Sequence, residues 1–92
     1  MKPVLLVEDN EDDIFFMRRA FRNAAISNPL LIVRDGQSAI EYLAGRGDYA
    51  NRTAHPIPGL ILLDIKLPLR TGFEVLHWIR SDSLLPFQDV MP

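Results

Sequence analysis

Three four-residue runs contain no polar side chain: Val4-Leu5-Leu6-Val7, Leu30-Leu31-Ile32-Val33 and Leu60-Ile61-Leu62-Leu63. Each is short and rich in strand formers, as buried strands are. The third shows no alternation, the pattern of a parallel strand covered on both faces. Between the runs the periodicity changes. Ile14, Met17, Phe21 and Ala24 or Ala25 recur in steps of three and four, which is one face of a helix. Asn10 is its N-cap, and Glu11, Asp12 and Asp13 suit the positive end of its dipole. Asn28-Pro29 breaks that helix. Asp35-Gly36 reads as a turn, after which Ala39, Ile40 and Leu43 mark a short helix that fades at Gly45-Arg46-Gly47. Asp48 to Gly59, with two prolines and little periodicity, reads as a long loop. Thr71-Gly72-Phe73-Glu74 is a capping-box pattern that opens a third helix through about Arg80. Its expected buried face includes Phe73, Leu76 and Ile79. Ser81 to Pro92 is weakly patterned, with Val90-Met91 as a truncated strand.

Strand and helix alternate three times, which implies a parallel sheet with right-handed crossovers. The 92 residues suffice for one small domain, and 48% hydrophobic content argues for a packed core over a disordered tail. Ten basic against twelve acidic residues offer no general attraction to nucleic acid or to an anionic membrane. The absence of cysteine removes disulfides, thiolate metal sites and cysteine nucleophiles together. No apolar run reaches the length of a signal peptide or a membrane span. The expectation is a cytoplasmic protein with no nucleic-acid or membrane partner.

The acids are placed more tellingly than they are numerous. Glu8-Asp9 follows the first apolar run and Asp64 follows the third. In a parallel sheet all strand ends of one sense share an edge, and ligands bind there where strand order reverses. If the first and third strands are neighbours, three carboxylates crowd into one crevice. Their repulsion is relieved by a cation, and an oxygen-only donor set with no nearby His or Cys favours Mg²⁺ over zinc. A carboxylate beside that cation can serve as nucleophile toward a phosphoryl group. Glu11, Asp12 and Asp13 are read as helix-start acids rather than ligands.

At these residues the chain resembles the CheY-like receiver domain of bacterial two-component response regulators. The matching blocks are Val4-Leu5-Leu6-Val7-Glu8-Asp9-Asn10, Asp35-Gly36, Leu60-Ile61-Leu62-Leu63-Asp64, Leu67-Pro68 and Gly72-Phe73-Glu74-Val75-Leu76. The resemblance implies an α/β, flavodoxin-like receiver fold with a parallel sheet in the order 2-1-3. It implies Asp64 as the phosphoacceptor, with Glu8 and Asp9 as the pair that positions Mg²⁺ and Asp9 as its direct ligand. Lys66 falls where the family offers a backbone carbonyl to the metal. The implied partner is a histidine kinase, and the Asp48 to Gly59 segment is similar to that of receivers paired with phytochrome-type kinases. No catalytic residue beyond Asp64 is implied, so the chain is expected to act as a phosphoacceptor and not as an enzyme.

Family receivers continue to a strand ending in Ser or Thr and another ending in Lys. Here the only lysines are Lys2 and Lys66 and the only threonines Thr53 and Thr71. Residues 1–92 are therefore expected to form a single, C-terminally incomplete receiver domain without strands 4 and 5. Leu60 to Leu63 would then be an unprotected edge, with apolar area bare near Ile14 and Phe21, to be completed by homodimerisation or swapping. The rival expectation is a degenerate or truncated receiver acting only as an interaction module. A haloacid-dehalogenase-type phosphatase is disfavoured, because Lys66 stands where that chemistry wants a second Asp. Flavin binding is disfavoured by acids where a phosphate-binding loop would lie. His55 and His77 are set aside as ligands, Trp78 is assigned to partial core or interface, and Arg18, Arg19 and Arg22 to a solvated helix face pairing with Glu11 and Asp12.

Overall fold

All three apolar runs are strands in the computed structural model, which describes residues 2–64, 71–81 and 90–91. They are β1 (Val4–Val7), β2 (Leu30–Val33) and β3 (Leu60–Leu63). The helices are α1 (Glu11–Asn23), α2 (Gly36–Ala44) and α3 (Gly72–Ser81). A fourth strand, β4 (Val90–Met91), pairs with β3 at Ile61 and Leu62, so the sheet is parallel and four-stranded in the order β2-β1-β3-β4. The order 2-1-3 is as expected, but the absence of strand 4 is corrected. Two residues of β4 supply backbone partners to β3, so Leu60–Leu63 is not a bare edge. The edge argument for homodimerisation falls with it.

Helix boundaries follow from local chemistry. The Asn10 side chain accepts from the Asp12 and Asp13 amides at 2.9 and 3.1 Å, and three acids occupy the first turn. The helix stops at Asn23, before the proline. The Ala24, Ala25 and Ile26 amides return to carbonyls of the last turn, with Ala25 at φ 55°. Ala24 and Ala25 are thus an exposed helix end, not part of its apolar face. Asp35-Gly36 is not a free turn either. Asp35 is the N-cap of α2 and accepts from the Ser38 amide at 2.6 Å, while Gly36 is the first helical residue. The capping box of α3 forms as expected, with Thr71 Oγ1 accepting from the Glu74 amide at 3.2 Å.

The core lies on the sheet face that carries Leu5, Val7, Ile61 and Leu63, packed against Ala39, Ile40, Tyr42 and Leu43 of α2 and Val75 and Ile79 of α3. Val75 and Ile79 are four apart and share a helix face. Phe73 precedes Val75 by two, which turns it to the opposite side, and it is 68% exposed. That corrects its assignment to the buried face. Val4, Leu6 and Ile14 are buried outside this cluster, whereas Leu30, Ile32, Leu60 and Leu62 remain half-buried. β3 is therefore fully covered on one face only. The exposure expected near Ile14 is also misplaced. Ile14 is 3% exposed, and the bare apolar area of α1 is Phe15 and Phe16, at 58% and 60%.

The Asp48 to Gly59 segment has more structure than its composition suggests. A 3-10 turn spans Gly47–Tyr49, and Arg52 reaches back to the end of α2. Its guanidinium donates to the carbonyls of Tyr42 and Leu43, both at 2.8 Å, and to that of His55 at 3.3 Å. The Tyr42 hydroxyl donates to the Pro56 carbonyl at 2.8 Å. Gly45, at φ 69°, ends α2 beneath that guanidinium, where a Cβ would lie 3.0 Å from Arg52 Nη2. No helix among the described residues is long and apolar enough to cross a membrane.

Candidate functional site

The register of the sheet brings the site together. Val7 is paired with Val33 of β2 on one side and Leu63 of β3 on the other. Each ladder then continues by one bond past the strand ends. The Glu8 amide donates to the Val33 carbonyl at 3.0 Å, and the Asp64 amide to the Val7 carbonyl at 3.1 Å. Glu8 and Asp64 thus leave adjacent strands at the same level, and Asp9 follows on the turn into α1.

Carboxylate oxygens of Glu8, Asp9 and Asp64 all lie within 4.8 Å of one another. Glu8 and Asp64 are half-buried and Asp9 is exposed. Burial pushes the Glu8 carboxyl above the ordinary glutamate range. A hydrogen bond from the Asn10 amide opposes that shift, and the neighbouring Asp64 adds to it. An all-oxygen set at this spacing, with one member held reluctant to ionise by its surroundings, fits a hard divalent cation. The sequence-derived acids are therefore brought together as expected. Lys66, assigned a backbone carbonyl on the metal, and Leu67-Pro68 lie outside the described residues.

Two unit charges 4.8 Å apart repel by about 3 kcal/mol at an effective dielectric near 20, and solvent exposure here reduces that to about 1 kcal/mol. Asp64→Asn is accordingly expected to stabilise the protein by about 1 kcal/mol in a chelator at neutral pH. Because the folded-state pKa of Glu8 is raised, its ionisation penalty is absent below the ordinary glutamate range and grows as pH rises through the raised value. The advantage of the Asn variant should thus shrink on acidification. A divalent cation should stabilise the parent more than the variant. Urea unfolding in chelator that ranks the Asn variant at or below its parent at neutral pH would contradict the crowding.

Sequence reasoning missed one residue at this edge. Arg34 follows β2 directly, just as Glu8 and Asp64 follow their strands, and it forms an ion pair with Glu11 at the start of α1. Position immediately after an apolar run was the available signal. Glu11 therefore pairs across the sheet edge, not with the arginines of its own helix. His55 packs edge-on against Tyr42 and Tyr49, with ring centroids 5.9 and 5.2 Å away, and takes no part in the acidic site.

No protein-family model matches the chain. It is 40% identical over 81 residues to the response regulator Rcp1 of Synechocystis sp., covering 88% of this chain and 53% of that protein. The Mn²⁺-bound structure of Rcp1 superposes with a TM-score of 0.81. The bacteriophytochrome response regulator AtBRR gives 0.86 at 39% identity, over 99% of this chain and 65% of its own. The phosphorylated cyanobacterial phytochrome response regulator RcpA gives 0.79 at 44% identity, over 88% of this chain and 56% of its own. The chain spans about half the length of the curated relatives it matches. Strand order, the three clustered acids and these likenesses agree on a CheY-like receiver domain like those of response regulators.

Proposed function

We propose that Asp64 accepts a phosphoryl group from a histidine kinase, and that Glu8, Asp9 and Asp64 hold the Mg²⁺ this transfer needs. The observation that carries the reading is the meeting of three carboxylates within 4.8 Å at the C-terminal edge of the sheet. In the transfer an Asp64 carboxylate oxygen forms the new bond to phosphorus. The bond from the donor's imidazole nitrogen breaks, and that nitrogen keeps the electron pair. The Val7 carbonyl holds the Asp64 backbone in place, and the Asn10 amide holds the Glu8 carboxylate. When bound, Mg²⁺ supplies positive charge to offset that of the phosphoryl oxygens.

The phosphorylated state of RcpA and the Mn²⁺-bound state of Rcp1 support this chemistry in similar proteins. Likeness to phytochrome response regulators supports a phytochrome-type kinase as the donor, and a cytoplasmic reaction goes with that reading. On this reading the chain is a phosphoacceptor and not itself an enzyme. Incubation with Mg²⁺ and a small acyl phosphate, followed by intact mass measurement, is expected to show one added phosphoryl group in the parent and none in Asp64→Asn. A folded parent that gains no mass would favour a domain that works by binding alone.

A further inference from the structure

We infer that Arg34 is a positioning residue for the metal-binding acids, acting through its ion pair with Glu11; the inference rests on the metal-site reading above. Both ends of the pair grow from fixed backbone. Arg34 lies between Val33, whose carbonyl accepts the Glu8 amide at 3.0 Å, and Asp35, the N-cap of α2. Asp35 is itself fastened by the Ser38 amide and by the Ser38 hydroxyl at 2.6 and 3.1 Å, and its carbonyl accepts the Ala39 amide at 3.1 Å. Glu11 is the first residue of α1, whose Asn10 cap accepts from two amides and whose first backbone bond runs from the Ile14 amide to the Asn10 carbonyl.

Between these anchors stands only the turn Glu8-Asp9-Asn10, which presents two of the three metal carboxylates and has no regular structure. Backbone pairing with Val33 holds the turn where it leaves β1. The Arg34–Glu11 pair holds it where it enters α1. Arg34 touches neither Glu8, Asp9 nor Asp64 through a hydrogen bond in the structure, so its influence on them runs through the placement of α1. The guanidinium fork suits such a tie better than an ammonium, because its planar donors fix direction as well as charge.

A purely electrostatic role predicts the opposite result, which makes the idea testable. Removing a positive charge beside an acidic cluster should strengthen cation binding if Arg34 acts by charge alone. It should weaken binding if Arg34 acts by position. Mn²⁺ binding to the whole chain, read from the paramagnetic resonance signal of the free ion, separates the two. Arg34→Gln is expected to weaken Mn²⁺ binding roughly two- to fivefold, the range an exposed ion pair can supply. Arg34→Lys should lie between the variant and the parent, and the exchange Arg34→Glu with Glu11→Arg should restore most of the affinity. Thermal unfolding in chelator monitors whether each variant is folded.

Equal or tighter binding by folded Arg34→Gln overturns the positioning role while leaving the site reading intact. Should Arg34→Gln fail to fold, the charge exchange decides alone: parent-like affinity supports the tie, and several-fold weaker binding overturns it. A parent that binds no Mn²⁺ overturns the site reading and this inference together.

Discussion

Leu5→Ala is expected to cost about 2–5 kcal/mol and to leave the domain close to unfolding at 37 °C. Leu5 is fully buried, and it sits on β1 between β2 and β3, where neither neighbouring strand can shift without losing register. Truncation removes three carbons from the cluster that Leu5 forms with Val7, Ile61, Leu43 and Val75. A domain of this size has a total stability of about 5–14 kcal/mol, so the loss is a large fraction of the whole. Urea denaturation followed by circular dichroism reads it directly. A loss below about 1 kcal/mol would mean that the core collapses around the gap, contrary to the close packing described above. The site should fail with the fold, since β1 delivers Glu8 and Asp9.

Arg52→Ala is the second substitution expected to have a large effect, about 1–3 kcal/mol. One half-buried guanidinium serves three carbonyls, those of Tyr42, Leu43 and His55, and two of these end a helix. Its loss leaves them without that donor and removes a cation from the negative end of α2. The damage should be local. Hydrogen exchange is expected to accelerate at the His55 amide, which now donates to the Asn51 carbonyl at 2.8 Å, while β1 amides keep their protection. Arg52→Lys should recover only part of the loss, because one ammonium cannot reproduce the fork. Unchanged exchange at His55 would show that the segment is held by Tyr42 and Pro56 instead.

The difference between these two residues shows what can be read from sequence and what cannot. The three strands were legible because continuous apolar runs have few other uses in a chain this short. The site was legible because its acids stand directly after two of those runs, so strand order alone brings them together. Arg52 was not legible. A single arginine in a segment with two prolines gives no periodic signal, and its partners are backbone carbonyls, which every residue possesses. Phe73 was misread for a different reason. A capping box fixes where a helix starts but not which face is buried, and Val75 with Ile79 outweighs one aromatic. Val90-Met91 could be suspected as a strand from composition, yet its partner strand could not be read from two residues.

Of the three apolar strands, the one that comes first in the chain lies between the other two in the sheet. β1 precedes both of its neighbours in the chain but needs β2 and β3 on its two sides, and the second of these arrives only at Leu60–Leu63. Every parallel pairing here closes a loop of more than twenty residues, so no neighbouring strand can be joined to it by a tight hairpin. Until β3 is made, therefore, Leu5 and Val7 lack the strand that covers one side of β1. The acidic edge is assembled only when Asp64 follows β3 out of the exit tunnel and meets Glu8 and Asp9, made more than fifty residues before. Competence of the site is in this sense a report that β1 has gained both of its neighbours.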